Sequence, residues 1–233
     1  MVHAALLNSL VDLAHQADPS AARAVLAQAR QMRVPTAELL RSYIPDAARA
    51  MGLAWAEDRM SFAQVTIGAA HLQALVHQLL TPAADEVDRF NASAVLMIVP
   101  PGEQHTLGAL VATAELRALG ISVRLDIAPS LPDLCRLLEP GGFDAVLVSL
   151  GSGEKLEICT KLVNTLKRHT KGQVRIAVGG SVAEDYRAAL LNSGADLVTT
   201  SLRTMLAEFG LGCDPQGPFS VARDRVRLER FSP

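Results

Sequence analysis

Glu103 and His105, separated by one residue in the run Pro100-Pro101-Gly102-Glu103-Gln104-His105-Thr106-Leu107-Gly108, are the side chains here best suited to chemistry. Neutral imidazole is a good ligand for borderline transition metals. A carboxylate two positions away on an extended loop can accept a hydrogen bond from the other ring nitrogen, fixing the tautomer and raising ligand basicity. The run stands between a strand-like apolar stretch, Ala94 to Val99, and a helical pattern from Leu107 to Leu119. That puts the histidine at the carboxyl edge of a strand, where open parallel sheets bind ligands.

Two later stretches fall at the same edge. Ser149-Leu150-Gly151 follows the strand-like Ala145 to Val148, and Gly179-Gly180 follows Val174 to Val178. Gly108 and Ser149 are separated by 40 residues, Gly151 and Gly179 by 27. Together, Glu103-x-His105-x-x-Gly108, Ser149-x-Gly151 and Gly179-Gly180 resemble the cobalamin-binding signature, which reads Asp-x-His-x-x-Gly, Ser-x-Leu and Gly-Gly at similar spacing. Glu103 stands where that pattern has Asp, and Gly151 where it has Leu.

The resemblance spans the C-terminal two thirds of the chain. It implies that His105 is the lower axial ligand of a cobalt whose four equatorial nitrogens come from the corrin, with Glu103 bonded to the ring. It also implies that the cofactor's benzimidazole is displaced and its nucleotide tail lies in a slot through the α/β domain. Gly108 would give close approach beside that tail, Ser149 would contact it, Gly179 and Gly180 would leave room at its buried end, and Thr106 and Gly151 would belong to the same cofactor-binding set.

The elements that must position these residues follow from periodicity. Strands are expected at 94–99, 121–126, 144–149, 173–178 and 195–199, and helices at about 107–119, 130–138, 154–169, 182–193 and 201–208. Such alternation predicts a parallel sheet covered on both faces with right-handed crossovers, and five strands favour the flavodoxin-like order. Gly120, Gly172 and Gly194 each sit just past a helix as left-handed caps, and Ser181-Val182-Ala183-Glu184 reads as a capping box.

Before this, from Ala4 to about Leu80, the period is helical throughout. Leu6, Leu10 and Leu13 form one stripe; Asp18-Pro19 opens a second helix; Leu39, Leu40 and Ile44 lie on a third. Ser61-Phe62-Ala63-Gln64 is a capping box opening a fourth, with stripe Val65, Leu72, Val76 and Leu79. The expected fold class is therefore α/β. An N-terminal four-helix bundle cap (1–82) precedes a linker and a five-stranded parallel flavodoxin-like, Rossmann-type domain (93–209), to which the resemblance assigns cobalamin. A C-terminal tail (210–233) carries Arg223, Arg225 and Arg227, and its pattern leaves open whether it docks as an edge strand.

Composition excludes several functions. A net charge of −2 supplies no field for nucleic acid, so direct sequence-specific DNA binding is not expected. Cys135, Cys159 and Cys213 are odd in number and lack metal-site spacing, which points to a reducing compartment. The N-terminus has no basic start or long apolar run, so a cytoplasmic protein without a membrane segment is expected. Gly151-Ser152-Gly153-Glu154-Lys155 lacks phosphate-loop spacing and reads as turn chemistry. Lys155, Lys161, Lys167, Arg168 and Lys171 read as the wet face of one helix.

Trp55, the one tryptophan, lies in Gly52-Leu53-Ala54-Trp55-Ala56-Glu57-Asp58-Arg59-Met60-Ser61. This resembles the helical cap of cobalamin-dependent regulators of the CarH/LitR kind, where a tryptophan covers the upper corrin face; a core tryptophan is the other reading. Val65 and Thr66 stand where that family has Glu-His, so the upper ligand is expected to be held differently, with His71 or His77 as candidates.

The whole architecture and the wording Ile98-Val99-Pro100-Pro101-Gly102-Glu103-Gln104-His105 resemble the AerR/PpaA antirepressors of photosynthesis genes. This implies a non-enzymatic light or redox sensor that holds cobalamin, in hydroxo or another form rather than adenosyl, and engages a separate transcription regulator. Haem is the alternative tetrapyrrole, since a haem-binding sensor module shares the fold. A corrinoid methyl carrier for methyltransferases is the alternative function.

Overall fold

The computed structural model describes residues 4–18, 20–80, 93–138 and 142–211. Pro19, the linker, the arginine-bearing tail and Cys213 lie outside them. Four helical segments form the bundle: α1 (Ala4–Asp12) with a short 3-10 turn to His15, α2 (Ala21–Gln31), α3 (Thr36–Glu38) running through a π-turn at Leu39–Tyr43 into α4 (Ile44–Ala56), and α5 (Phe62–Leu80). The π-turn directly precedes Pro45, whose missing N–H and ring break the regular hydrogen-bond ladder, and the wider turn absorbs that mismatch. Leu6, Leu10, Leu13, Leu40, Ile44, Leu72 and Val76 are all buried, as their stripes require. The box at α5 forms: the Ser61 amide donates to Gln64 Oε1 at 2.7 Å and the Gln64 amide to Ser61 Oγ at 3.2 Å.

The second half alternates β1 (Ala94–Val99), α6 (Leu107–Ala118), β2 (Ser122–Ile127), α7 (Leu131–Leu137), β3 (Ala145–Ser149), α8 (Leu156–His169), β4 (Arg175–Gly179), α9 (Arg187–Asn192), β5 (Leu197–Val198) and α10 (Leu202–Phe209). All pairings are parallel, in the order β2-β1-β3-β4-β5. The expected flavodoxin-like sheet is thus present. Helices α6 and α10 cover one face and α7, α8 and α9 the other. Gly120, Gly172 and Gly194 take positive φ at helix ends.

One expectation changes. Ser181 and Glu184 do not form a capping box: the Ser181 hydroxyl donates to the Gly151 carbonyl at 3.2 Å and Glu184 pairs with Arg187. The loop after β4 runs close to the loop after β3, so cross-sheet bonding replaces the local cap.

The bundle packs directly on the sheet domain through α6. Leu110, Val111 and Ala114 of α6 belong to the bundle's own apolar core. Gln73 Nε2 donates to Thr106 Oγ1 at 2.9 Å, and Arg41 pairs with Glu115 at 3.5 Å. An apolar face of α6 that the sheet does not cover must be buried, and the bundle buries it.

Candidate cofactor site at the switch point of the sheet

Strand order reverses between β1 and β3, and open α/β sheets bind ligands outside the carboxyl ends of strands at such a point. The β1–α6 loop carries Glu103 and His105 there, and the β3–α8 loop carries Gly151 and Ser152 beside them. The Glu103 side chain is fully buried, while that of His105 is 67% exposed. Glu103 Oε1 accepts from the His105 amide at 2.9 Å and lies 2.7 Å from His105 Nδ1. Glu103 Oε2 accepts from the amides of Gly151 at 2.9 Å and Ser152 at 3.0 Å. Burial pushes the Glu103 carboxyl up, but the bonds from His105 and Gly151 outweigh it and hold the pKa below the usual glutamate value. An ionised carboxylate only accepts, so in the neutral ring Nδ1 carries the proton and Nε2 keeps its lone pair.

Thr106, Gly108, Ser149, Gly179 and Gly180 lie on the strand ends, loops and helix start at the carboxyl edge of the sheet. Ser149, at the end of β3, is buried opposite Gly179, and its hydroxyl makes no hydrogen bond among the described residues. Gly108 opens α6 with nothing within 4 Å of where a Cβ would stand. A glycine in a helix costs about 0.5–1 kcal/mol relative to alanine, and no neighbour among the described residues crowds this position. Thr106 is bonded to Gln73 of the bundle.

Gly179 and Gly180 serve close backbone approach. A Cβ on Gly179 would stand 2.9 Å from the Thr199 carbonyl, and one on Gly180 2.2 Å from that of Leu150. The Leu150 amide donates to the Gly179 carbonyl at 2.7 Å.

Trp55 is not a core residue. It is 52% exposed at the end of α4 and packs at a tilt against the exposed Phe62 of α5, with centroids 6.4 Å apart. His71 is turned into the bundle, where Nε2 lies 3.0 Å from the Gln16 carbonyl, and His77 is exposed. The Gly151–Lys155 segment is a turn, as expected: Ser152 caps the 3-10 turn Gly153–Lys155 through the Glu154 amide at 3.3 Å. Lys161, Lys167 and Arg168 bond Glu157, Asp196 and Asn164, in keeping with a solvated face.

Sequence reasoning missed the two loop amides, Gln73 and Phe62. The amides have no side-chain signature. Gln73 was legible only as a polar position on α5.

One neighbour of the site yields a test. Cys159 on α8 is buried, and burial together with the Glu103 carboxylate pushes its thiol up to about 12. Cys135 is only half-buried. Iodoacetamide at mildly alkaline pH should therefore alkylate Cys135 well before Cys159 in the folded chain, as read by peptide mass mapping. Equal rates would show that the α8 face opens on the labelling timescale.

The donor set fits a metal that arrives with most of its ligands. A single imidazole with a fixed tautomer could supply one ligating atom to such a group, and no cluster of three or more His, Cys, Asp or Glu occurs among the described residues. No helix among them is long and apolar enough to cross a membrane.

Comparison with known proteins agrees. The chain is 51% identical over 183 residues, 78% of its length and 95% of the relative's, to the "Uncharacterized 20.5 kDa protein in bchF-crtJ intergenic region" of Rhodobacter capsulatus. The monomethylamine corrinoid protein of Methanosarcina barkeri has a similar fold, with a TM-score of 0.67 at 15% identity over 89% of this chain and 95% of that one. The B12 binding domain family matches residues 93–209, where the buried glutamate orients an outward-facing histidine at the switch point, and the chain belongs to that cobalamin-binding family.

Proposed function

We propose that this protein holds cobalamin with His105 as lower axial ligand and acts as a light- or redox-responsive antirepressor through a protein partner. The observation that carries the reading is the Glu103–His105 pair, with Nδ1 held and Nε2 presented outward. Cobalamin, when bound, supplies a cobalt centre whose upper ligand responds to light or redox state. The chain's residues do the rest. Glu103 orients the imidazole, Ser149 offers an unspent hydroxyl, Gly108 leaves space, and Trp55 with Phe62 forms an exposed aromatic corner suited to cover the upper face.

The regulatory part rests on the antirepressor-like wording around His105 and on the relative described by its place between bchF and crtJ. Because the bundle already packs on α6, the switching element is the α4–α5 corner around Trp55, whose movement alters a surface that a repressor protein can read.

The test is the absorbance spectrum of the full chain in the dark with hydroxo-, methyl- and adenosylcobalamin and with haem, followed by illumination. A histidine-ligated cobalamin spectrum that changes under light, with light-dependent binding of a purified repressor, is expected. Stable binding without light response, together with methyl transfer from a simple donor, would move the protein to the carrier class. Binding of haem alone would overturn the cofactor.

Trp55→Ala should alter the rate of upper-ligand change while shifting stability by no more than about 0.5 kcal/mol, as for an exposed residue. A large loss of stability would return Trp55 to a structural role.

A further inference from the structure

Glu103 spends its two oxygens on two different loops. Oε1 serves the His105 amide and ring, and Oε2 takes the amides of Gly151 and Ser152, 48 and 49 residues further along. Two amides aimed at one oxygen form an anion nest, here filled by the chain's own carboxylate. The nest can reach Glu103 only because position 151 has no side chain. A Cβ there would stand 2.4 Å from His105 Cβ, 3.1 Å from its Cγ and 3.3 Å from Glu103 Oε1. Carbon atoms pack at roughly 3.5–4.0 Å, so any side chain at 151 must push the His105 ring or the loop away. Behind it, the Ser181 hydroxyl holds the Gly151 carbonyl at 3.2 Å, so the loop cannot simply retreat.

We propose that Gly151 is a positioning residue for His105: its missing side chain lets the β3–α8 loop close on Glu103, and that closure sets the orientation and tautomer of the ring. The consequence is chemical. A free neutral histidine prefers its proton on Nε2, which leaves the lone pair on the wrong nitrogen for outward ligation. The clamped carboxylate reverses this by accepting from Nδ1. Glu at 103 and Gly at 151 thus work as one device, the longer carboxylate spanning the gap that the glycine opens. Only the consequence for a bound cofactor rests on the cobalamin reading; the positioning is a property of the chain alone.

The experiment is imidazole nitrogen NMR of the full chain without cofactor, labelled with 15N-histidine, at a pH where the ring is neutral. The His105 signals are identified by their loss in His105→Ala. The wild type should show the proton on Nδ1. Gly151→Ala should move it to Nε2 or to an exchanging mixture, with the other five histidines unchanged. In a Glu103→Ala background, Gly151→Ala should add nothing, because the group it acts through is gone.

Retention of the Nδ1 proton in Gly151→Ala, or an equal change with and without Glu103, overturns the proposal. If Gly151→Ala loses its far-UV circular dichroism, Ser181→Ala carries the test. Without the bond to the Gly151 carbonyl the β3–α8 loop is freer to move off Glu103, so the Nδ1 signal should weaken in a folded protein, and its full retention overturns the proposal.

With hydroxocobalamin, folded Gly151→Ala should bind about 10–100-fold more weakly, as when an outer partner of a ligating histidine is lost. A wild type with the Nδ1 tautomer but no histidine-ligated spectrum would sink the proposed function and leave this inference standing.

Discussion

His105→Ala should abolish the histidine-ligated cobalamin spectrum on which the proposed function rests and should leave the fold intact. The ring is 67% exposed, and its one bond among the described residues is to Glu103. Glu103 keeps the backbone amides of residue 105, Gly151 and Ser152 after truncation, so its carboxylate is not stranded. The change in unfolding free energy should stay within about 0.5 kcal/mol, as for surface positions. Ligation should fall further than the 10–100-fold typical of losing an outer-shell partner, since the ligating atom itself is removed. Spectral titration with hydroxocobalamin beside thermal unfolding separates the two effects. An unchanged spectrum would remove His105 as the ligand, and the ligand-based part of the proposed function would go with it.

Gly180→Ala should do the opposite, destabilising the chain even without cofactor. Gly180 has φ +120°, and a Cβ would stand 2.2, 2.7 and 2.8 Å from the carbonyl oxygen, carbonyl carbon and amide nitrogen of Leu150. These are backbone atoms, and Leu150 is tied to β4 by the hydrogen bond its amide donates to the Gly179 carbonyl. Relief therefore requires separating the ends of β3 and β4. A loss of about 4 kcal/mol, in the exceptional range for one substitution, is expected, and at 2–4 °C per kcal/mol the melting temperature should fall by roughly 10 °C.

Gly108→Ala is the matched control. With nothing within 4 Å of the new methyl group it should be neutral or slightly stabilising, and should weaken only cofactor binding. If Gly180→Ala instead melts like the wild type and loses only affinity, the glycine pair exists to admit a ligand tail rather than to seat Leu150.

The Gly179-Gly180 pair shows where reading a sequence stops. Glycines after a strand announce that something comes close, and the resemblance named a nucleotide tail. Within the chain the close groups are its own backbone at Leu150 and Thr199. Trp55 makes the same point from the other side. A lone tryptophan on a helical stripe is equally consistent with core and surface, and only the turn between α4 and α5 exposes it against Phe62.

The sequence by itself determined the alternation of five strands and their helices, the four helices before them, and the Glu103–His105 pair at the end of β1. Each of these is written in residues near one another: period, caps, and a ligand with its partner two positions away. The tertiary structure alone decided that the bundle packs on α6, that Ser181 bonds across to Gly151 instead of capping its own helix, and that the β3–α8 amides close on Glu103. Those features join residues tens of positions apart through backbone groups that every residue carries, so no local pattern of side chains can announce them.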